Sequence, residues 1–595
     1  LEETTPGSNH NIDLSQYQIQ VESGNDGFDQ ALRSALKITD DNPEEIAKKT
    51  IRWIIGENIN AQVSDDVNDP AGGNNQPTGN HVVDRWMVAD PLHASPKAVT
   101  YGGTYTERTT KLFVATNDGL LHMLDANSGD EEWAFLPREL LPKQSEMMKN
   151  ESGDRIYGLD STPTFWYKDN DGNQQIDGTE DFLRIYIGMR RGGRNFYALD
   201  VTNTQQPKLM WTIKGGEGDF EKLGQTWSSA FPVEVDPRFC DNNKSPCIVL
   251  VFGGGYDPSQ DGTDNTNCDT VTMGNAIFMV DAETGKRLWW ASDKGSNLKD
   301  FQVDLDEMKC PIAADLFPVD SDGDHWVDRL YAADTGGQIW RIELKFDAND
   351  DDASIGGLRA RISSQEPAEH SEQRRFFYPP IWAKVGQYEL LVAVTGTRPD
   401  PLKQIIADKF YVFNDPSFPL DPNGKLSKLI TWKPLSENDS INMNNVTNQI
   451  MNNQSNNGNQ DCMENGGWYF DLSLPGEKGL SMPQVVGNTA LFTTYVPDDQ
   501  TNTNECKGPS PGSSWLYAFD LSKSCGGTTD LFSDKVEDND KTNNRGNFAI
   551  DAGSGMVQMS VSVQADGVYE LLNSKQDPIK VKDHEFKRTF WMQQE

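Results

Sequence analysis

Over most of the chain, apolar and polar residues alternate with a period of two, in short runs that end at Gly or at an Asn/Asp turn. That period puts successive side chains on opposite faces of a strand. The runs recur as a unit. A strand ending in a polar or Gly turn is followed by an aromatic-rich strand that ends in Asp. The unit reads "KLFVATNDGLLHMLDANSGDEEW" from Lys111, "LRIYIGMRRGGRNFYALDVTN" from Leu183, and "CIVLVFGGGYDP" leading to "GNAIFMVDAETGKRLWW" from Cys247. It continues as "DRLYAADTGGQIWRIEL" from Asp328, "YELLVAVTGTRPD" leading to "KFYVFND" from Tyr388, and "NTALFTTYVPDD" leading to "SSWLYAFDLS" from Asn488. Before each copy a small residue and a proline open a further strand, at Pro96, Pro163, Pro232, Pro311, Pro379 and Pro483. The steps between these prolines are 67, 69, 79, 68 and 104 residues.

Each repeat supplies three or four short strands, and one such sheet cannot bury both of its faces alone. Arranged radially, neighbouring sheets cover one another and leave no long exposed edge. The pattern predicts an all-β fold, a β-propeller with six clear blades and a seventh assembled from weaker sequence at the termini. Insertions break the period at Ser436 to Gly467, Asp347 to Ser354 and Ser533 to Asn547, and their polar composition predicts mobile loops. Before the repeats, "DNPEEIAKKTIRWIIGEN" changes to helical periodicity. Asn42 caps it, Pro43 suits its first turn and Gly56 stops it, with Ile46, Ala47, Thr50, Ile51 and Ile54 on one face. The expected organisation is an extension with one helix over 1–83 and the propeller over 84–595.

Composition narrows the function. The formal charge is −38, from 53 basic and 91 acidic residues. Such a surface repels phosphate backbones and anionic membranes and suits divalent cations. No run approaches the ~18 apolar residues of a membrane span; the longest is "CIVLVF". Seven cysteines lie between 240 and 525 in loop-like sequence, with no C-x-x-C pair and no histidine at zinc-finger spacing. They predict disulfides in an exported protein, with Cys240–Cys247 and Cys506–Cys525 as local bridges and one thiol left over. The chain opens at Leu1, as a processed or excised fragment does.

The sharpest chemistry is in "DSDGDHWVD". Asp320, Asp322, Asp324 and Asp328 take positions 1, 3, 5 and 9 of a tight loop, and the Trp326 carbonyl takes position 7. Hard oxygens in that order suit Ca²⁺, as in an EF-hand loop. Position 6 is His325 in place of Gly, position 12 is Tyr331 in place of Glu, and no helices flank the loop. The expectation is therefore a calcium loop set in a β-hairpin, with Val327 anchoring it to the core. A second stretch, "DNDGNQQIDGTE", repeats the order with Asp169, Asp171, Asn173, the Gln175 carbonyl, Asp177 and Glu180 as candidate ligands. Its alternative is a flexible Asx-rich turn.

Together, "AKKTIRWIIGEN", "DRWMVADPLHASP", "LFVATNDGLLHMLDANSG" and "DSDGDHWVDRLYAADTGGQIWRIEL" resemble, in that order, the PilC/PilY family of type IV pilus tip-associated proteins. The resemblance runs from about Asn42 to the C-terminus. It implies a modified propeller of about seven blades, exported to the pilus tip or cell surface through the periplasm or outer membrane. It further implies support of pilus assembly against retraction, twitching motility, adhesion to a host or abiotic surface, and minor pilins as partners. The family's calcium loop falls on Asp320, Asp322, Asp324, Trp326 and Asp328. The enzymatic alternative is a quinoprotein dehydrogenase, whose repeats "VDAETGKRLWW" also fits. The adjacent cysteines and scattered calcium ligands of that class are missing from the sequence, and no G-x-S-x-G, H-E-x-x-H or P-loop lysine occurs. The expectation is a protein that is not an enzyme, with His93 a structural histidine.

Overall fold

The computed structural model describes residues 88–415 with short interruptions, 435–436, 441–442, 462–527 with interruptions, 549–554 and the strands of 560–581, together with Leu36 and the helix at 43–54. It falls into two compact units, Leu1–Ile213 and Lys214–Glu595. The first unit holds two four-stranded antiparallel sheets. Sheet 1 runs Lys97–Gly103, Arg108–Ala115, Leu121–Asp125 and Glu131–Phe135 in spatial order; sheet 2 does the same between 164 and 213. The second unit holds sheet 3 (231–304), sheet 4 (317–361 with 435–436), sheet 5 (381–471), sheet 6 (478–554) and a three-stranded sheet 7 (560–581). The six repeats are thus six sheets, and the weaker C-terminal sequence makes a seventh. The N-terminal share foreseen for it lies outside the described residues.

The Asp that ends most of the aromatic strands has a local reason. The carboxylate of Asp281 accepts from the amides of Glu283 and Thr284, at 3.0 and 2.7 Å, and from the Thr284 hydroxyl. Asp125 caps the equivalent turn through Asn127 and Ser128, and Asp520 does so through Ser522. These Asx turns reverse the chain into the next strand. The prolines have a reason too. Pro232 and Pro318 lie in the first, edge strands of sheets 3 and 4, Phe231–Val235 and Phe317–Val319, where a missing N–H is tolerated. In the fourth repeat the strand therefore begins at Phe317, beyond the Pro311 expected to open it.

Within the units, four pairs of neighbouring sheets bury one another. Phe113, Leu121 and Met123 of sheet 1 pack with Ile185 and Tyr197 of sheet 2. Val249, Met279 and Trp289 of sheet 3 pack with Leu330 and Trp340 of sheet 4. Trp289, from "VDAETGKRLWW", is fully buried there. Sheets 4 and 5 join through Tyr331, Ile339, Leu391 and Tyr411, and sheets 5 and 6 through Phe410, Trp468, Phe492 and Phe519. Sheets 3, 4 and 5 also gain a short fifth strand, each paired in parallel with its neighbour: Gln302–Asp304, Leu435–Ser436 and Ile441–Asn442. The last two come from the stretch between repeats five and six. Most of the rest of that insertion, with 347–353 and 533–547, lies outside the described residues.

Helix α1 is Pro43–Ile54. Thr50 on its predicted inner face is fully buried and donates to the Ile46 carbonyl. It packs against a second helix, α2, Leu141–Lys149, between sheets 1 and 2 in sequence. The disulfides correct the sequence expectation in part. Cys240–Cys247 forms, but Cys525 pairs with Cys462 and not with Cys506, and Cys268 pairs with Cys310. The reason is tertiary: strand pairing brings Cys462, which precedes Gly467–Asp471, beside the turn after Ser513–Asp520. Cys506 lies outside the described residues.

Candidate metal centre

Among the described residues, two groups of three carboxylates lie close enough to share a cation: Asp320, Asp322 and Asp324, and Asp169, Asp171 and Asp181. In each group the oxygens fall within 4.8 Å of one another. Both are loops of the two acidic motifs.

The first loop links Phe317–Val319 to Arg329–Ala333 of sheet 4. Backbone amides turn its carboxylates inward. Asp320 accepts from the N–H groups of Gly323 at 2.6 Å and His325 at 3.0 Å, and Asp324 accepts from that of Trp326 at 2.9 Å. The tight path needs two left-handed residues, Gly323 at φ 84° and His325 at φ 81°. His325 therefore adopts the conformation for which an EF-hand uses glycine at position 6, at a steric cost of about 1–2 kcal/mol. Val327 is half-buried against the core between sheets 3 and 4, and its N–H donates to the Glu234 carbonyl at 2.8 Å.

Asp328 stands apart from the trio. Its carboxylate accepts from the Ser321 hydroxyl at 2.7 Å and the Ser321 amide at 3.0 Å. Burial raises its carboxyl above the ordinary range, and those two hydrogen bonds oppose the rise. Trp326, half-buried, is positioned by its amide's bond to Asp324.

The donor set fits calcium. All the groups are oxygens, and carboxylates crowd together without a counter-charge: no lysine, arginine or histidine side chain pairs with Asp320, Asp322 or Asp324 among the described residues. Two fully buried carboxylates of the neighbouring seam between sheets 4 and 5 are answered differently. Glu343 and Asp415 both face arginines, at 2.6 and 3.0 Å from Arg341. Three like charges at this spacing repel one another, and a cation among them would offset that repulsion.

In the second loop Asp169 accepts from the amides of Gly172 and Asn173, and Asn173 Oδ1 accepts from that of Gln175 at 2.7 Å. The acid brought to Asp169 and Asp171 is Asp181, which is buried and accepts from the Asn170 amide at 2.7 Å. Glu180, the expected position 12, is exposed and takes the Asn170 side chain at 2.6 Å. Asp177 is exposed; its amide points at Asp181, 3.5 Å away. Spacing from an EF-hand template missed Asp181. The cue in the sequence was its place directly before the strand Phe182–Gly188, which pins it to the core.

His93 Nδ1 lies 2.7 Å from the buried Asp160 carboxylate.

Comparison with known proteins bears on the fold. Residues 78–364 match the family model described as the PilY1 beta-propeller domain. A type IV pilus biogenesis factor PilY1 from Pseudomonas aeruginosa (strain UCBPP-PA14) is 27% identical over 271 residues, which are 44% of this chain and 20% of that protein. A PilY1 homolog from Xylella fastidiosa is 23% identical over 434 residues, 69% of this chain and 26% of that protein. The chain thus spans about a fifth to a quarter of the length of these relatives. The crystal structure of the Pseudomonas aeruginosa PilY1 C-terminal domain superposes with a TM-score of 0.52 at 18% identity, over 80% of this chain and 93% of that one. The fold is a β-propeller of that kind, and the seven sheets agree with the blade number expected from the repeats.

Proposed function

From a chain that carries the PilY1 β-propeller, we propose a calcium-binding, non-catalytic component of type IV pilus biogenesis that acts at the pilus tip or cell surface. The observation that carries the calcium part is the convergence of Asp320, Asp322 and Asp324 without a basic partner among the described residues. Asp320, Asp322 and Asp324 would hold the ion with the Trp326 carbonyl, and Asp328 would complete the set. Calcium, when bound, supplies the positive charge that these carboxylates lack. Asp169, Asp171 and Asp181 form a second, smaller candidate, with Asn173 and the Gln175 carbonyl beside them.

The pilus part rests on the relatives, which are pilus biogenesis factors by name. Support of assembly against retraction, twitching motility, surface adhesion and contact with minor pilins belong to this proposal. Three disulfides suit an exported protein, and no helix of the described residues is long and apolar enough to cross a membrane.

The test is Asp328→Ala in the native host cell. The variant is expected to bind calcium more weakly, to fold, and to lower surface piliation and twitching. Normal piliation in a variant shown by titration to lack the ion would remove the regulatory role and leave a structural site.

A further inference from the structure

Arg329, the residue after the acidic loop, is the corner of a buried ionic network that crosses from sheet 4 to sheet 5. It is 5% exposed. Its Nε donates to Glu343 at 2.8 Å and its Nη1 to Glu389 at 3.1 Å. Glu343 also accepts from Arg341 at 2.6 Å, and Arg341 donates onward to Asp415 at 3.0 Å. Arg359 and the Tyr331 hydroxyl close on the same Asp415 carboxylate. The three arginines come one each from three neighbouring strands of sheet 4: Arg329–Ala333, Gln338–Glu343 and Ile355–Arg361. Glu389 lies in sheet 5 and Asp415 directly follows its strand Lys409–Asn414, and the Asp415 amide donates to the Glu389 carbonyl at 2.7 Å. Three guanidiniums thus face three carboxylates in the seam.

Asp328 is tied to both systems. Its side chain rests on Ser321 inside the loop. Its amide donates to Val319 at 3.1 Å, and its carbonyl accepts from Leu344, the residue after Glu343, at 2.7 Å. Movement of Asp328 off Ser321 toward the trio would pull on Arg329, a member of the network, and on Leu344, which follows Glu343. A network of charge-assisted hydrogen bonds among almost fully buried groups has little room for gradual adjustment, so a shift at one corner is felt at the others.

We infer that the acidic loop is coupled to the seam between sheets 4 and 5, so that loading the loop tightens Arg329, Glu343, Glu389 and Asp415 together. This rests on the calcium proposal above and adds to it where the ion's effect is delivered. Coupling is reciprocal. A change in the seam that touches no proposed ligand must therefore alter calcium affinity. Of the seam carboxylates, Glu389 is suited to the test, because its side chain is 13% exposed and Glu389→Gln keeps its shape.

The experiment is calcium titration by calorimetry on the whole chain and on Glu389→Gln, with Asp320→Ala as the loop variant. Amide hydrogen exchange of the unaltered chain is followed with and without calcium. The expected results are affinity weakened about 5-fold in Glu389→Gln, and calcium-dependent protection in 388–394 and 409–415 as well as in 320–328. Calcium binding by Glu389→Gln equal to the unaltered chain, with protection confined to 320–328, overturns the coupling and leaves the calcium site standing. No calcium heat from the unaltered chain, or equal heat from Asp320→Ala, overturns the site and the coupling with it. The exchange measurement needs no variant, so a Glu389→Gln protein that fails to fold still leaves the inference open to refutation.

Discussion

Asp415→Ala is expected to destabilise the second unit by about 3–5 kcal/mol, the cost of removing one partner from a buried charge network. Asp415 has no exposed surface, and its carboxylate answers Arg341, Arg359 and the Tyr331 hydroxyl at once. Alanine would leave Arg341, itself 1% exposed, without that counter-charge in the core. The comparison that isolates the cause is Asp241→Ala. Asp241 pairs with Lys286 at 2.8 Å, but both side chains are more than half exposed, 67% and 57%. Water screens that pair, and its loss is expected to cost less than about 1 kcal/mol. Urea unfolding of the two variants measures the contrast as a shift in midpoint at constant slope. Equal midpoints would mean that the seam is wetter than its geometry shows.

The second large effect is with pH. Burial pushes the Asp334 carboxyl up to about 7, although Trp340 Nε1 and two backbone amides donate to it. Burial likewise pushes Asp408 up to about 6, against the pull of the nearby Lys478 and Arg374 charges. For both, the folded chain holds the proton more tightly than the unfolded chain does. Their contribution to stability is therefore complete below the unfolded carboxylate value. It is lost as pH rises through about 6 for Asp408 and about 7 for Asp334. Within its window each group changes stability by about 1.4 kcal/mol per pH unit. Asp236 and Asp257 have the opposite sign. Hydrogen bonds from Arg238, and from the amides of Thr272 and Ser259, outweigh burial and hold them low, so their contribution is lost only at more acid pH. In calcium-free buffer the chain is expected to be more stable at about pH 5 than at about pH 7.5, by several kcal/mol at most. Asp408→Asn should flatten the lower part of that slope, and Asp334→Asn should extend the flattening toward about pH 7. Thermal melts across the range that show a fall in Tm at the acid end would contradict the assignment.

What the sequence revealed and what it withheld divide along physical lines. Blades are local objects. Alternation, Asx turns at Asp125, Asp281 and Asp520, and edge prolines all act within a few residues, so six repeats could be read directly as six sheets. The acidic loops were legible for the same reason, since the order of their carboxylates is set by consecutive backbone. The seam was not legible, because Tyr331 and Asp415 are 84 residues apart and no local pattern relates an arginine in one blade to a carboxylate in the next. Cys462–Cys525, 63 residues apart, was missed on the same ground. Local spacing had instead suggested Cys506, because the strand pairing that sets the true distance is not written in the spacing. Asp181 was missed by one position. An EF-hand template places the last acid by counting, whereas in this loop the acid that joins Asp169 and Asp171 stands where a β-strand begins. The fifth strands at 435–436 and 441–442 are too short to show a period.

The calcium loop is the centre of this account, and a crystal structure grown with millimolar calcium tests it most directly. The predicted result is an ion in the loop, with oxygens of Asp320, Asp322, Asp324 and Asp328 and the Trp326 carbonyl at ~2.3–2.6 Å, and Asp328 drawn away from Ser321. Density for water alone between Asp320, Asp322 and Asp324, with Asp328 still on Ser321, would contradict it.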